Sequence, residues 1–153
     1  FTTIAELPDC PQLKIVRIDG SLYFGAVNHI RNGLRELMED SPAQKNILLV
    51  GSGINFMDMA GAELLSHLAQ ERRDRGGVLY FYDMKEDICS HFKMLEYLLD
   101  IGVENIFESK KEAIVEIFQR LDKEICRRCD ARIFLECREI PLHQSVRETP
   151  DSP

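Results

Sequence analysis

The chain has no long apolar run: its longest aliphatic stretch is Ile47-Leu48-Leu49-Val50, far short of the ~18 residues that a membrane-spanning helix needs. It also lacks a basic excess. With 26 acidic against 19 basic side chains the formal net charge is −7, which argues against nucleic acid and against an anionic membrane surface as partners. No charged segment leading into an apolar one opens the chain, so no secretory signal is read there. Its five cysteines (Cys10, Cys89, Cys126, Cys129 and Cys137) are an odd number in a chain long enough to bury a core, so a reduced compartment fits better than a disulfide scaffold. Internal repeats and low-complexity tracts are absent as well.

Catalytic patterns are missing too. His29, His67, His91 and His143 are scattered, and neither a G-x-S-x-G nor an H-x-x-x-H arrangement occurs. Cys89 flanks the apolar positions Ile88 and Phe92, where a part-buried helix thiol is the simpler account. The sequence therefore reads as a non-enzyme.

What is present is ordinary globular composition, 44% apolar and 29% charged in 153 residues, enough for one domain. Pro8 and Pro11 mark residues 1–12 as a lead-in without regular structure. Leu13–Ile18 reads as a strand, Asp19-Gly20 as a tight turn, and Ser21–Phe24 as the second strand of a hairpin. Val27, Ile30, Leu34, Leu37 and Met38 fall at helical spacing, and Asp40-Ser41-Pro42 stops that helix. Ile47–Val50 reads as a strand buried on both faces, with Gly51-Ser52-Gly53 and Ile54–Met57 carrying the chain into a loop. Asp58 caps the next helix, whose end carries Arg72, Arg73 and Arg75 as complements to the helix dipole. A strand at Val78–Tyr82, a helix over Glu86–Leu99, a short strand at Asn105–Phe107 and a helix begun by the Ser109/Glu112 capping box complete the pattern. Strands alternating with helices predict an α/β fold: a mixed, mostly parallel sheet of about four to five strands, with an N-terminal hairpin and about four to five covering helices.

Two segments invite chemistry. In the first, a buried strand passes through Gly51, Ser52 and Gly53 to a helix N-terminus at Asp58, a place where amides and a dipole converge on anions. No Lys follows, as a phosphate-binding loop requires, Phe56 breaks the dinucleotide glycine pattern, and Asp58 repels phosphate. A plain capped helix and a nucleotide or anion site both stay open, and no cofactor is assigned. In the second, Cys126 and Cys129 precede Cys137 and His143. Four such groups are weak candidates for a metal, since the spacing matches no common finger, and a surface tail with reduced thiols is the plainer reading.

Asn55-Phe56-Met57-Asp58-x-x-Gly61-x-x-x-Leu65 resembles the signature of STAS domains, the fold shared by anti-sigma-factor antagonists and the cytoplasmic tails of SulP-type anion transporters. The resemblance spans about Leu13 to Leu121, and Lys14–Ala26 and Ala131–Cys137 are similar to the SulP branch. It implies a STAS domain over residues 13–122, preceded by a linker (1–12) from a membrane domain and followed by a Cys-containing, partly disordered tail (123–153). The Met-less start at Phe1 fits such an excised piece. In the antagonist branch the residue after the signature Asp is a phosphorylatable Ser or Thr. Here Met59 and Ala60 carry no hydroxyl, so that switch is not expected.

The implied function is regulatory protein–protein contact at the cytoplasmic face of the membrane, non-catalytic, in a carrier of sulfate or a similar anion. Partners would be its own membrane domain, a second copy, or a cytosolic protein. Gly51, Ser52, Gly53, Asn55, Met57, Asp58, Met59 and Gly61 form the expected interaction or ligand loop, with Met57 and Met59 as soft apolar contacts or as packing. The alternatives are a free-standing anti-sigma-factor-antagonist-like protein and a nucleotide- or anion-sensing module.

Overall fold

Four consecutive aliphatic residues can all be buried only in a strand covered on both sides, and that is where the chain places Ile47–Val50. The structure, a computed structural model, describes residues 2–94 and 101–129. Its strands are β1 (Thr3–Cys10), β2 (Leu13–Leu22), β3 (Asn46–Val50), β4 (Ile54–Met57), β5 (Leu79–Tyr82) and β6 (Ile106–Phe107). Its helices are α1 (Val27–Asp40), α2 (Met59–Asp74), α3 (Glu86–Met94), α4 (Lys110–Arg120) and α5 (Lys123–Arg128), with a 3-10 turn at Phe24–Ala26. The sheet runs β1-β2-β3-β5-β6, with β4 paired to β2. Only β1 is antiparallel to its neighbour.

Strand alternation sorts the core into two layers. Ile47, Leu49, Leu79 and Phe81 point to one face, where Ile30, Leu34 and Met38 of α1 and Leu65 and Leu68 of α2 close over them. Leu48, Val50, Tyr80 and Phe107 point to the other, against Ala113, Ile114 and Ile117 of α4. The forward half of the expected capping box forms, Ser109 Oγ accepting from Glu112 N at 3.2 Å, while Glu112 Oε2 reaches one residue ahead of the cap and accepts from Glu108 N at 3.3 Å. This is the α/β fold expected, with helices on both faces of a mostly parallel sheet.

The N-terminal hairpin exists, but its turn lies elsewhere. Thr3–Cys10 is a strand, not an irregular lead-in, and it folds back on β2 through Pro11 and Gln12. Pro8 is tolerated because β1 is the edge strand and the pairing register shifts between Leu7 and Cys10, where no ladder amide is needed. Asp19-Gly20 does not reverse the chain. Gly20, at φ 116°, sits on a register shift inside one continuous strand and donates to Gly53 O at 2.8 Å. There β2 exchanges β3 for β4, because Ser21 and Leu22 pair with Phe56 and Met57. Ile54–Met57 is accordingly a strand and not a loop.

Two side-chain expectations also change. Arg73 and Arg75 are exposed at the end of α2, whereas Arg72 is 2% exposed and bonded to Glu71 at 3.1 Å. Regular structure continues past Leu121: Asp122 caps α5, which buries Cys126, and Cys129 just beyond it is buried too. These two thiols are core groups, not surface ones. The helix positions expected at 95–99, the side chain of Phe92, the disorder expected near the C-terminus, and Cys137 and His143 lie outside the described residues.

One pH dependence follows from the core. Burial raises the Tyr82 phenol above its ordinary value; the Asp83 charge adds to this and Arg17 opposes it. The folded state therefore favours the neutral phenol, and its stabilisation is complete below the unfolded value of about 10 and is lost as pH rises toward the folded value. Urea midpoints measured at successive alkaline pH values should fall less steeply for Tyr82→Phe than for the parent chain. Parallel slopes would contradict the assignment.

Candidate functional site

Asp58 is the pivot of the region that the sequence singles out. Its backbone amide donates to Leu22 O at 3.1 Å, which seats the end of β4 on β2. Its Oδ1 accepts from Gly61 N at 2.9 Å, capping α2, and its Oδ2 accepts from Phe24 N at 2.9 Å. One carboxylate thus ties three elements: the strand pair, the 3-10 turn and the helix start. Charge-assisted bonds of this kind to backbone amides are among the stronger polar contacts in proteins.

The glycines of the loop serve close packing. A Cβ on Gly61 would fall on the Leu22 carbonyl oxygen and within 2.9 Å of Leu22 Cβ. One on Gly51 would meet Met84, its Cα at 3.2 Å, and one on Gly53 would meet Asp19 and lie 2.9 Å from Ile18 O. Four of the backbone amides are likewise committed. Gly51 N donates to Tyr82 O at 3.0 Å and Ile54 N to Gly51 O at 3.1 Å, beside the Asp58 and Gly61 amides already described. Asn55 is exposed and accepts from Lys85 Nζ at 2.7 Å, and Ser52 is half-buried. The positive end of α2 faces the Asp58 carboxylate of the same chain, which takes the Gly61 amide.

What the region does offer is apolar. Phe24 is 80% exposed, Met59 60%, Phe56 54% and Tyr23 46%, while Met57 is turned into the core at 3%. The four exposed side chains come from the turn after β2, from β4 and from the first residue of α2, so they surround Asp58. Exposed aromatic and methionine side chains grouped at one end of a fold mark contact surfaces in proteins. Of the expected loop residues, Met59 lies on this face and Met57 does not. Tyr23 and Phe24 are not legible as surface residues in the sequence, because the Asp19-Gly20 turn makes Ser21–Phe24 read as the second strand of a hairpin, and Phe56 lies in a segment that reads as leading into a loop. β2 ends at Leu22, so Tyr23 and Phe24 fall in the turn that follows it.

Of the cysteine segment, the described residues include Cys126 and Cys129. Cys126 Sγ accepts from Gln12 Nε2 at 3.4 Å, and among the described residues no group of three or more His, Cys, Asp or Glu side chains is arranged to hold a metal. Among them, too, no helix is long and apolar enough to cross a membrane.

Comparison with known proteins bears on this geometry. The family model of the STAS domain matches residues 4–113, from β1 into α4. The murine Solute Carrier 26 family member A9 anion transporter superposes with a TM-score of 0.65 at 19% identity, over 74% of this chain and 18% of its own. A sulfate transporter family protein from Wolinella succinogenes gives 0.61 at 18% identity, over 71% of this chain and 86% of its own. An anti-sigma factor antagonist from Mycobacterium paratuberculosis gives 0.61 at 11% identity, over 76% and 95%. At such identities these likenesses speak for the fold alone. The chain spans about a fifth of the murine transporter's length. No curated protein matches the chain in sequence.

Proposed function

The chain belongs to the STAS-domain family, and from that premise we propose that it is the cytoplasmic regulatory and protein-interaction module of a SulP-type anion transporter, without catalysis of its own. The observation that carries the reading is the exposed apolar face of Tyr23, Phe24, Phe56 and Met59 around an Asp58 whose two oxygens are both spent inside the chain. Such a face suits lasting contact with another protein surface. Met59 and Ala60 follow Asp58 where a phosphorylation-switched antagonist needs a hydroxyl, so contact here is governed by something other than phosphate on that position. Its partner surface would belong to the transporter's membrane portion, to a second copy of the transporter or to a cytosolic protein. Because Thr3–Cys10 is part of the sheet, any join to a membrane portion falls ahead of Thr3.

The reading frame upstream of Phe1 tests this directly. It should encode roughly ten or more apolar segments of about 20 residues. Their absence would remove the transporter assignment. The contact face is tested separately, with anion uptake by the whole transporter as the readout. The double substitution Phe24→Ser, Phe56→Ser should change uptake at least severalfold. Both side chains are exposed, so the melting temperature of the purified chain should move by only a degree or two. Unchanged uptake would show that the face is not used.

A further inference from the structure

The far end of the sheet holds a second feature, unrelated to the Asp58 face. Where β3 and β5 begin, a cleft of about 380 Å³ opens beside the end of α4. Its lining is mixed: Val78 and Ile125 offer apolar surface above the buried Tyr80 and Leu121, Gln12, Asn46 and Asp122 add polar groups, and Lys45 and Arg120 supply two cations. We propose that this cleft binds an organic anion, its carboxylate held by Lys45 and Arg120 and its apolar body laid on Val78 and Ile125.

Three observations carry the proposal. First, in a chain of net charge −7, neither Lys45 nor Arg120 forms an ion pair among the described residues. The carboxylate that lines the cleft, Asp122, caps α5 through Oδ1, which accepts from Glu124 N at 2.9 Å, and against its charge the two cations leave the cleft with an excess of one positive charge. Second, Arg120 is held in place. Its guanidinium lies 5.7 Å from the Tyr80 ring centre, and Nη1 donates to Asn105 Oδ1 at 3.1 Å. A cation in the last turn of a helix ordinarily complements the helix dipole, but Arg120 reaches across to another element, and Lys45 lies on no helix. A planar, always-charged group fixed at a wall is preorganised for an oxyanion.

Third, the side-chain amides in the lining are already engaged. Gln12 Oε1 accepts from Asp122 N at 2.8 Å and Asn46 Oδ1 accepts from Val78 N at 2.9 Å, so the amides that line the cleft already serve backbone groups. Gly76, at φ 81°, keeps the lip low where the Lys45 stem runs past: an added Cβ would sit 4.0 Å from Nζ. Two cations beside the apolar Val78 and Ile125 match a carboxylate on a hydrocarbon body better than a fully hydrated inorganic anion.

Isothermal titration of the full chain with octanoate tests the idea. The expected result is saturable one-to-one binding, weakened about tenfold or more by Lys45→Met and by Arg120→Gln, kept by the Phe24→Ser, Phe56→Ser variant, and not displaced by a tenfold excess of inorganic sulfate. Lys45 makes no hydrogen bond among the described residues, so Lys45→Met reports on binding even if Arg120→Gln disturbs the Asn105 contact. Failure to saturate, full affinity in Lys45→Met, loss in the Phe24/Phe56 variant, or displacement by sulfate would each overturn the proposal.

Discussion

Gly61→Ala is expected to destabilise the chain by about 3 kcal/mol, a fall of about 8 °C in Tm. The sign is the informative part. In an exposed helix the same change gains up to ~1 kcal/mol, because alanine loses less backbone entropy and glycine is the poorer helix former. Here the first turn of α2 lies directly on β2, and the new methyl would meet the carbonyl and Cβ of Leu22. Neither is the far end of a flexible side chain that can swing away. The helix must lift, and with it the Leu65 and Leu68 packing that α2 supplies to the core. Thermal unfolding of the variant decides the matter: a neutral or stabilising outcome would mean that α2 does not rest on β2 this closely.

Asp58→Ala should cost a similar amount, about 3 kcal/mol, by a different route. About 1–2 kcal/mol is the ordinary loss of an N-cap. A further ~1.5 kcal/mol follows from removing the acceptor of the Phe24 amide, a charge-assisted bond that holds the 3-10 turn against α2. Asp58→Asn separates the two contributions. Its amide oxygen can still cap Gly61 N, but its NH₂ group then faces the Phe24 N–H, donor against donor. The asparagine variant should therefore recover the cap and not the turn, landing roughly midway between parent and alanine in urea midpoint. Full recovery would show that the bond to Phe24 contributes little. Because that bond positions Tyr23 and Phe24, Asp58→Asn should also weaken partner contact more than its stability loss alone would explain.

The parts of this fold that follow local rules were legible in the sequence. Asp58 as a cap, the Ser109 cap on the Glu112 amide, the doubly buried Ile47–Val50 and the stripe of α1 each depend on residues within a few positions of one another. What was not legible depends on distant partners. Asp19-Gly20 carries the local chemistry of a turn, yet pairing of Ser21 and Leu22 with β4, more than thirty residues away, keeps the strand going. Pro8 argues against a strand in general, and only the edge position of β1 makes it acceptable. Arg72 looks like a solvated last-turn cation until tertiary packing buries it, and Cys126 became a core residue because Gln12, far away in sequence, clamps the α4–α5 link through the Asp122 backbone at 2.8 and 3.0 Å. The candidate site divides in the same way: its capped helix was readable, whereas the apolar face emerged only once β2 was known to run through to Leu22.

The antiparallel pairing of β1 has a further consequence, in the geometry of attachment. Thr3 sits opposite Asp19, and Thr2 Oγ1 donates to Ser21 O at 2.7 Å, so β1 begins at the end of the sheet where β2 finishes. That end carries Tyr23, Phe24, Phe56 and Met59; Lys45 and Arg120 lie at the other. Polypeptide joined ahead of Thr3 would therefore exit beside the exposed aromatic side chains, with an exit vector that brings its own surface within their reach. A tether so placed acts as a local concentration, and a modest contact patch can then stay occupied without high intrinsic affinity. The opposite pole would face away from the tether, open to solutes while the first is engaged.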